Sequence, residues 1–197
     1  MNREFISQKD KILISAIEII SDSGLSGLNL RNLAVRGNIS EETVYKCFGG
    51  VDEILSEVVD SFVRYDGIIK DTINSKDCSY LEKIKYYFDV YATYYENYKE
   101  ISAIVLHYEE LLHNTNTRDR ISDCVKNRYW FLVELINDAI ESKELKGDTS
   151  AETLAEVLIS VMNGMILGRR LVTREHTFKQ ELMKVVNELM SFYELRS

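Results

Sequence analysis

The stretch that decides the fold is residues 29–48, which read NLRNLAVRGNISEETVYKCF. Two short apolar sets with helical spacing lie on either side of Gly37–Asn38, and both of these residues tolerate the left-handed conformation that a sharp turn requires. Ser40 is placed to cap the second helix, and Val44 faces inward together with Phe48 at i+4. The spacing predicts a helix-turn-helix, two helices joined by a turn of three or four residues. An ordinary helical corner has the same local features, so both interpretations stay open at this point.

The helical period continues on both sides of this stretch. Before it, Leu13, Ala16, Ile17 and Ile20 form a one-face stripe that ends at Gly24. After it, longer helical patterns span about residues 52–74, 79–98, 100–113, 118–142, 150–172 and 175–193. The chain has no proline and no strand-length alternation bounded by turn signals. The sequence therefore predicts an all-α fold of about nine helices: an N-terminal three-helix domain with the helix-turn-helix, followed by an antiparallel helix bundle.

The change from short to long helices near residue 50 suggests two domains, residues 1–50 and residues 51–197. The charge changes at the same place. Residues 1–48 carry six basic and six acidic side chains, so the net charge of −8 falls on the remainder of the 197-residue chain. This composition excludes a strongly basic nucleic-acid or membrane-binding coat but leaves room for a local patch.

The cysteines and the apolar runs indicate where the protein acts. Cys47, Cys78 and Cys124 are far apart and form no CxxC pair, which favours a reducing cytoplasm. No targeting segment is recognisable, and the longest uncharged stretch, residues 157–168, is too short for a membrane-spanning helix. We expect a cytoplasmic protein without a membrane partner.

The order of residues from about 9 to 60 resembles the DNA-binding domain of the tetracycline-repressor (TetR) family of transcription regulators. The resemblance rests on Ser15-Ala16-Ile17-Glu18 in a helix that ends at Gly24, on Leu33-Ala34, and on the run Thr43-Val44-Tyr45-x-x-Phe48. It implies a homodimeric repressor that binds palindromic double-stranded DNA and is released by a small-molecule effector. The long helices that follow have the length which that family uses for dimerisation and effector binding.

The resemblance also implies which residues contact DNA. They are Asn29, Arg31, Ser40, Glu41, Thr43, Tyr45 and Lys46. Two positions depart from the family pattern: Val51 replaces a phosphate-binding Lys, and Glu42 replaces a small residue. Fewer cations neutralise fewer phosphates and predict weaker binding. The alternative is therefore a helical ligand-binding or protein-interaction dimer whose DNA-binding domain has degenerated.

A stripe of tyrosines marks a candidate effector site. Four tyrosines follow each other at i, i+4, i+7 and i+11 on the helix predicted over residues 79–98. Such a stripe is usually core, but a buried phenol needs a hydrogen-bond partner, so a partly polar cavity is an equal alternative. The candidate effector-binding residues are Tyr87, Tyr91, Tyr94, Tyr98, His107 and Trp130. They suggest an apolar or aromatic small molecule.

Two glycines mark a candidate dimer contact. Gly164 and Gly168 have the spacing that allows close helix packing, within an otherwise apolar helix. The interpretation is a four-helix contact across a two-fold axis, shared with the helix over residues 175–193 and its apolar side chains Leu182, Val185, Val186, Leu189 and Met190.

Metal and enzyme chemistry find no support in the sequence. Glu110-Leu-Leu-His113 matches half of a carboxylate di-iron site, but no second copy exists. His107 and His113 are six residues apart, whereas a helical zinc site needs histidines at i and i+4. GxSxG, P-loop and GxGxxG motifs are absent. We expect a protein without metal, cofactor or catalytic residues.

Overall fold

The computed structural model describes residues 7–173 and 175–195, and every regular element in these ranges is helical. Ten α-helices lie there, with one 3-10 turn at Leu25–Gly27. The helices are α1 (Gln8–Ser23), α2 (Leu30–Gly37), α3 (Glu41–Cys47), α4 (Val51–Asn74), α5 (Tyr80–Asn97), α6 (Ala103–Leu106), α7 (Tyr108–His113), α8 (Arg118–Glu141), α9 (Ala151–Leu171) and α10 (Phe178–Tyr193). The predicted all-α fold is confirmed.

One predicted helix is interrupted. The pattern over residues 100–113 forms α6 and α7, and His107 between them leaves the helical region with φ −109° and ψ 14°. The imidazole of His107 lies near Gly24, where an added Cβ would meet its Cε1 at 3.4 Å. Gly24 itself has φ +72°, a conformation that glycine adopts without steric cost. Apolar periodicity misses this break because the side chains on both sides of it keep helical spacing.

The first compact unit contains the described residues up to 64 and residues 99–122. Within it, α1 packs against α2, α3 and α6. Its core includes Ile12, Ala16 and Ile20 of α1 and Val44 and Phe48 around α3, each at most 2% exposed. The one-face stripe and the i, i+4 pair predict Ala16, Ile20, Val44 and Phe48. Leu13 and Ile17 of the stripe are only half-buried, and Ile12, which is not in the stripe, lies in the core instead.

The second compact unit contains residues 65–98 and the described residues from 123 onward. In this unit α10 packs mainly against α5 and also against α9. The unit boundaries fall inside α4 and α8, so both helices contribute to both units. The division into functional domains at residue 50 stays a prediction.

The end of α10 is hydrogen-bonded to the loop that follows α8. The Lys146 N–H donates to the carbonyl of Tyr193 at 2.9 Å, and the Leu195 N–H donates to the carbonyl of Glu144 at 3.0 Å. Leu145 and Glu194 lie opposite each other in an isolated antiparallel bridge. The last described residues are thus fixed to the second unit by backbone bonds from both sides.

Helix α9 presents an exposed stripe without charged side chains. It comprises Thr153, Val157, Ser160, Gly164, Leu167 and Leu171. The opposite face is buried, and a Cβ added at Gly164 would meet no atom within 4 Å. By length and composition, α9 is the one helix among the described residues that is apolar enough to cross a membrane, a criterion that core helices of soluble proteins also satisfy.

Helix α10 corrects part of the predicted dimer contact. Leu182, Val186 and Met190 are fully buried within the protomer, so they do not lie on a surface that a second copy can reach. The reason is that α10 directs its most apolar face toward the core of its own unit, where it packs on α5. The exposed stripe of α9 remains as the candidate contact.

Candidate nucleic-acid interface and buried aromatic cluster

The turn between α2 and α3 is closed by Asn38. This residue is in the left-handed conformation, with φ 51° and ψ 50°. The Asn38 N–H donates to the carbonyl of Val35, and the Ile39 N–H donates to the carbonyl of Ala34 at 3.0 Å. Asparagine adopts this conformation more readily than most residues because its short polar side chain compensates for the strain locally. The chain thus turns sharply enough for α3 to pack back on α1 and α2.

Both helices of the motif begin with a side-chain cap. The Asn29 side chain accepts a hydrogen bond from the Asn32 N–H at 2.9 Å, and Ser40 Oγ accepts one from the Thr43 N–H at 3.1 Å. The Ser40 and Thr43 hydroxyls are 2.8 Å apart. Three of the predicted DNA-contacting residues therefore also shape the motif itself, since a capping side chain satisfies a backbone donor that the first helical turn leaves unpaired.

The outward face of α3 carries Tyr45, Lys46 and Glu42. Tyr45 is 61% exposed. Lys46 Nζ lies 2.7 Å from Glu42 Oε1, and the two side chains are 71% and 75% exposed. Val44 on the opposite face is fully buried. Val44 thus anchors α3 in the core, and the three outward side chains remain accessible. They offer a hydroxyl, an ammonium donor and a carboxylate acceptor.

An open groove of about 650 Å³ lies beside α3. It is lined by Arg31, Ala34, Val35, Asn38, Ile39, Ser40 and Glu41. Arg31 and Glu41, both predicted to contact DNA, are therefore brought to one surface. Val35 on the same surface is 76% exposed, and the sequence analysis did not single it out.

Two basic side chains of the helix-turn-helix, Arg36 and Lys46, form ion pairs with carboxylates of the protein itself. Arg36 donates to Asp22 at 2.8 Å and lies 3.5 Å from Glu18, and both carboxylates belong to α1. The hydrogen bond to Asp22 raises the pKa of the Arg36 guanidinium. Lys46 is paired with Glu42. Cationic charge that is already compensated within the protein contributes less to phosphate binding.

Three of the four stripe tyrosines lie on α5 in the core of the second unit, and the fourth, Tyr98, directly follows the helix. Tyr87, Tyr91 and Tyr94 are 1%, 2% and 9% exposed, whereas Tyr98 is 54% exposed. The rings of Tyr87 and Tyr91 are 4.8 Å apart between centroids, and those of Tyr94 and Tyr98 are 5.6 Å apart. Tyr65 of α4 stacks on Tyr94 at 4.9 Å and is itself 41% exposed. The stripe thus runs from the core to the surface.

A buried ion pair lies next to these rings, and the sequence analysis missed it. Asp66 accepts two hydrogen bonds from Arg128, at 2.8 Å from Nε and 2.7 Å from one terminal nitrogen. The Tyr91 hydroxyl and the Cys124 thiol also donate to Asp66, each at 2.9 Å. Arg128 donates in addition to the Tyr95 hydroxyl at 2.9 Å. The phenols thereby find the partners that buried tyrosines require.

A signal for this pair was present in the sequence. Asp66 lies four residues after Phe62 and three before Ile69, so a carboxylate interrupts the apolar face of α4. Arg128 likewise follows Cys124 by four residues and precedes Phe131 by three on α8. A charged residue at a core position of a helix is almost always paired, so one such residue on each of two helices indicates an ion pair between them.

Burial keeps the phenols and the thiol of the cluster protonated. Loss of hydration raises the pKa of the Cys124 thiol to about 12 and that of Tyr95 to about 12. The same cause raises the pKa values of Tyr87, Tyr91 and Tyr94 well above the ordinary tyrosine range. The neutral phenols and the thiol are therefore hydrogen-bond donors throughout the physiological pH range.

The other two predicted effector-binding residues, Trp130 and His107, have neighbours of their own. Trp130 is 58% exposed, and among the described residues no ring contact joins it to the stripe; its neighbour is Tyr129 at 5.0 Å. His107 belongs to the first unit, where its Nδ1 is 2.9 Å from a carboxylate oxygen of Glu110. The structure thus brings Tyr87, Tyr91 and Tyr94 together, and among the described residues it gives Trp130 no ring contact with them. Within residues 7–173 and 175–195, no three His, Cys, Asp or Glu side chains are grouped to hold a metal ion.

Solved structures of other proteins are similar to this one over nearly the whole chain. No family model and no curated protein sequence matches the chain. The ketosteroid transcriptional regulator KstR2 of Mycobacterium tuberculosis has a similar structure, with a TM-score of 0.86, 16% identity and 96% of each chain covered. The TetR family transcriptional regulator PfmR from Thermus thermophilus has a TM-score of 0.80 and 15% identity, over 95% of this chain and 100% of that one.

A third similar structure was solved with a ligand. It is a protein from Saccharomonospora viridis, described as a transcriptional regulator in complex with choline. Its TM-score is 0.77 at 16% identity, over 95% of this chain and 98% of that one. All three likenesses extend over the helix-turn-helix and the helices that follow it. The chain therefore has the fold of the TetR-family transcription regulators.

Proposed function

We propose that the protein is a TetR-like DNA-binding transcription regulator, a repressor that an effector releases from its operator. The observation that carries the proposal is the helix-turn-helix itself. A left-handed Asn38 closes its turn, and its second helix exposes Tyr45 and Lys46 while burying Val44. A helix mounted in this way fits the major groove, where side chains reach base edges and phosphates.

The proposed regulator acts as a homodimer in the cytoplasm. The uncharged exposed stripe of α9 suits a second copy of the same helix, because Gly164 leaves room for close approach. A two-fold dimer carries two recognition helices and reads a palindrome whose half-sites lie about one helical turn apart. The three free cysteines accord with a reducing compartment.

The proposed effector site lies at the aromatic cluster of the second unit. Tyr65, Tyr94 and Tyr98 stack on one another where the stripe reaches the surface. Stacked phenol rings bind apolar and aromatic groups, and their faces also attract a quaternary ammonium group. The choline in the similar structure from Saccharomonospora viridis supports the cationic variant of this effector.

Selection of bound sequences from a random DNA pool tests the proposal. We expect a palindromic consensus for the wild-type protein and no specific complex for the Tyr45→Ala, Lys46→Ala double variant. Both side chains are exposed, so circular dichroism of the variant should be unchanged. Equal retention of random and selected DNA by the wild-type protein would contradict the proposed role as a DNA-binding regulator.

A titration of the selected complex tests the effector. Choline is the probe, and linkage requires that a ligand which prefers the DNA-free state lowers DNA affinity as it saturates. Tyr94→Ala should weaken this response, because it removes the ring between Tyr65 and Tyr98. Trp130→Phe serves as the control, since Trp130 has no ring contact with the cluster among the described residues.

One observation favours a second candidate function. Glu41 and Glu42 bring two carboxylates to the recognition helix, and Glu42 compensates the charge of Lys46. A helical ligand-binding or protein-interaction dimer with a degenerate DNA-binding domain fits this charge pattern. Effector binding without a selected consensus, in the two experiments above, would favour this alternative.

A further inference from the structure

We infer that Glu42 and Lys46 act together as a reader of a single G·C base pair in each half-site of the operator. The inference rests on the proposed function and makes it more specific. Helix α3 exposes a carboxylate at a position that faces a polyanion, and the nearest cation is already bound to that carboxylate. For phosphate binding alone, these two features are unfavourable.

The base edges in the major groove offer hydrogen-bond partners for both the carboxylate and the ammonium group. A carboxylate only accepts hydrogen bonds, and the base edges offer two donors there, cytosine N4 and adenine N6. An ammonium group only donates, and guanine offers it two adjacent acceptors, O6 and N7. Glutamate with cytosine and lysine with guanine are therefore chemically matched contacts.

The geometry of the pair matches one base pair. Glu42 Oε1 and Lys46 Nζ are 2.7 Å apart. In a G·C pair, cytosine N4 donates to guanine O6, so these two atoms are separated by about 2.9 Å, an ordinary hydrogen-bond length. An acceptor and a donor held at this spacing face a donor and an acceptor at the same spacing. The ion pair then stays intact when it docks on the base pair.

An A·T pair fits less well. Its donor, adenine N6, lies between the acceptors N7 and O4, and the thymine methyl group lies beside O4. Adenine N6 and thymine O4 are also joined by a Watson–Crick hydrogen bond, so an A·T pair offers a donor and an acceptor at the same spacing. It lacks the second adjacent acceptor, N7 beside O6, that guanine gives the lysine. The arrangement of α3 therefore favours G·C at the base pair that the ion pair faces.

The pair also explains how an acidic recognition helix remains useful. Because Glu42 and Lys46 together carry no net charge, they release few counterions and add little non-specific affinity. Their contribution falls on discrimination between sequences. Tyr45, between them in sequence and 61% exposed, remains outside this ion pair and accessible for backbone or base contacts.

The test compares palindromes that differ at one symmetric position. Wild-type protein should bind the selected palindrome about tenfold more tightly than a palindrome in which one particular G·C pair is replaced by A·T. In Glu42→Gln and in Lys46→Met this preference should shrink to less than about threefold at the same position and persist at the others. Glu109→Gln, which removes a carboxylate 85% exposed on α7, should retain the wild-type preference.

A chemical probe adds a second readout. N4-methylcytosine at that position keeps base pairing but places a methyl group where Glu42 accepts its hydrogen bond. It should weaken the wild-type complex and leave the complex of a Glu42→Ala variant nearly unchanged, because alanine has no acceptor or bulk to meet the methyl group. The inference is overturned if the two α3 variants relax different positions, if neither changes any preference, or if the shared position is A·T. Failure of the wild-type protein to select any palindrome instead overturns the proposed function.

Discussion

Two ion pairs join α4 and α8, and they differ mainly in burial. Arg128 and Asp66 have side chains 8% and 15% exposed, whereas Arg120 and Asp60 are 43% and 41% exposed. Desolvation makes a buried charge costly when its partner is removed, while an exposed pair exchanges its partner for water. The two pairs therefore provide a matched comparison at the scale of single residues.

Asp66→Ala should lower the free energy of unfolding by about 3–5 kcal/mol, because Arg128 is left as an uncompensated buried charge. Asp60→Ala should cost at most about 1 kcal/mol. Urea denaturation followed by circular dichroism measures both. Similar losses for the two variants would show that the Arg128 cluster does not stabilise the second unit through charge pairing.

The buried phenols predict alkaline sensitivity. Tyrosine in an unfolded chain has a pKa of about 10, and burial raises the pKa of Tyr95 to about 12 and that of Tyr87 further. The folded state thus holds protons that the unfolded state has lost. This stabilisation is fully present below about pH 10 and is lost as the pH rises through the folded pKa values. The urea midpoint should therefore stay constant up to about pH 9 and fall as the pH rises above about 10.

Tyr87→Phe provides the control for this pH dependence. Among the described residues the Tyr87 hydroxyl makes one long hydrogen bond, 3.4 Å to the carbonyl of Arg128, so the variant should fold. Its stability should decline less steeply above about pH 10, by about 1.4 kcal/mol per pH unit for the group removed. An identical decline in both proteins would assign the effect to other groups.

At this scale the sequence predicted local interactions and missed distant ones. The cap at Ser40 is confirmed, because a cap depends on residues two or three positions away. The partnership of Asp66 with Arg128 spans 62 positions. A helical pattern shows that each lies on an apolar face, but it does not show which helices meet.

At the scale of elements, the turn between α2 and α3 depends on one residue in an uncommon conformation. Asn38 has φ 51° and is exposed. Asn38→Val should lose about 1–2 kcal/mol of stability, because a branched Cβ clashes in the left-handed region. Asn38→Gly should be close to wild type, since glycine enters this region freely. Thermal denaturation of the two variants measures the difference; equal stability would show that the turn rearranges.

The elements themselves were largely predictable, with one instructive exception. The predicted ends of the first two helices are confirmed: α1 ends before Gly24, and α2 ends at Gly37 with Asn38 as its cap. The break at His107 was missed because no glycine or proline marks it. At this break the imidazole lies beside Gly24, a contact between residues far apart in the sequence.

At the scale of the whole molecule, the exposed stripe of α9 predicts the mode of assembly. A Cβ at Gly164 would meet nothing within the protomer, so Gly164→Leu should leave the monomer folded. In a close helix contact the same change overfills the interface and costs about 1–3 kcal/mol per subunit. We expect sedimentation velocity at low micromolar concentration to show dissociation toward monomer.

Gly147→Leu is the matched control for assembly. A Cβ at Gly147 also meets no atom within 4 Å, but this residue lies in the loop between α8 and α9. It should sediment as the wild-type protein does. A wild-type dimer that persists in the Gly164→Leu variant would place the interface on another face.

The backbone bonds at the end of α10 have a consequence for solvent exchange. The amides of Lys146 and Leu195 donate to Tyr193 and Glu144, so each bond closes the same small bridge from an opposite side. Chain ends usually fray and take up deuterium quickly. Here neither amide opens unless the bridge opens, and both should exchange deuterium slowly and at a common rate. Peptides covering the loop after α8 and the last turn of α10 should therefore show one shared uptake curve, although α9 and most of α10 separate them in the sequence.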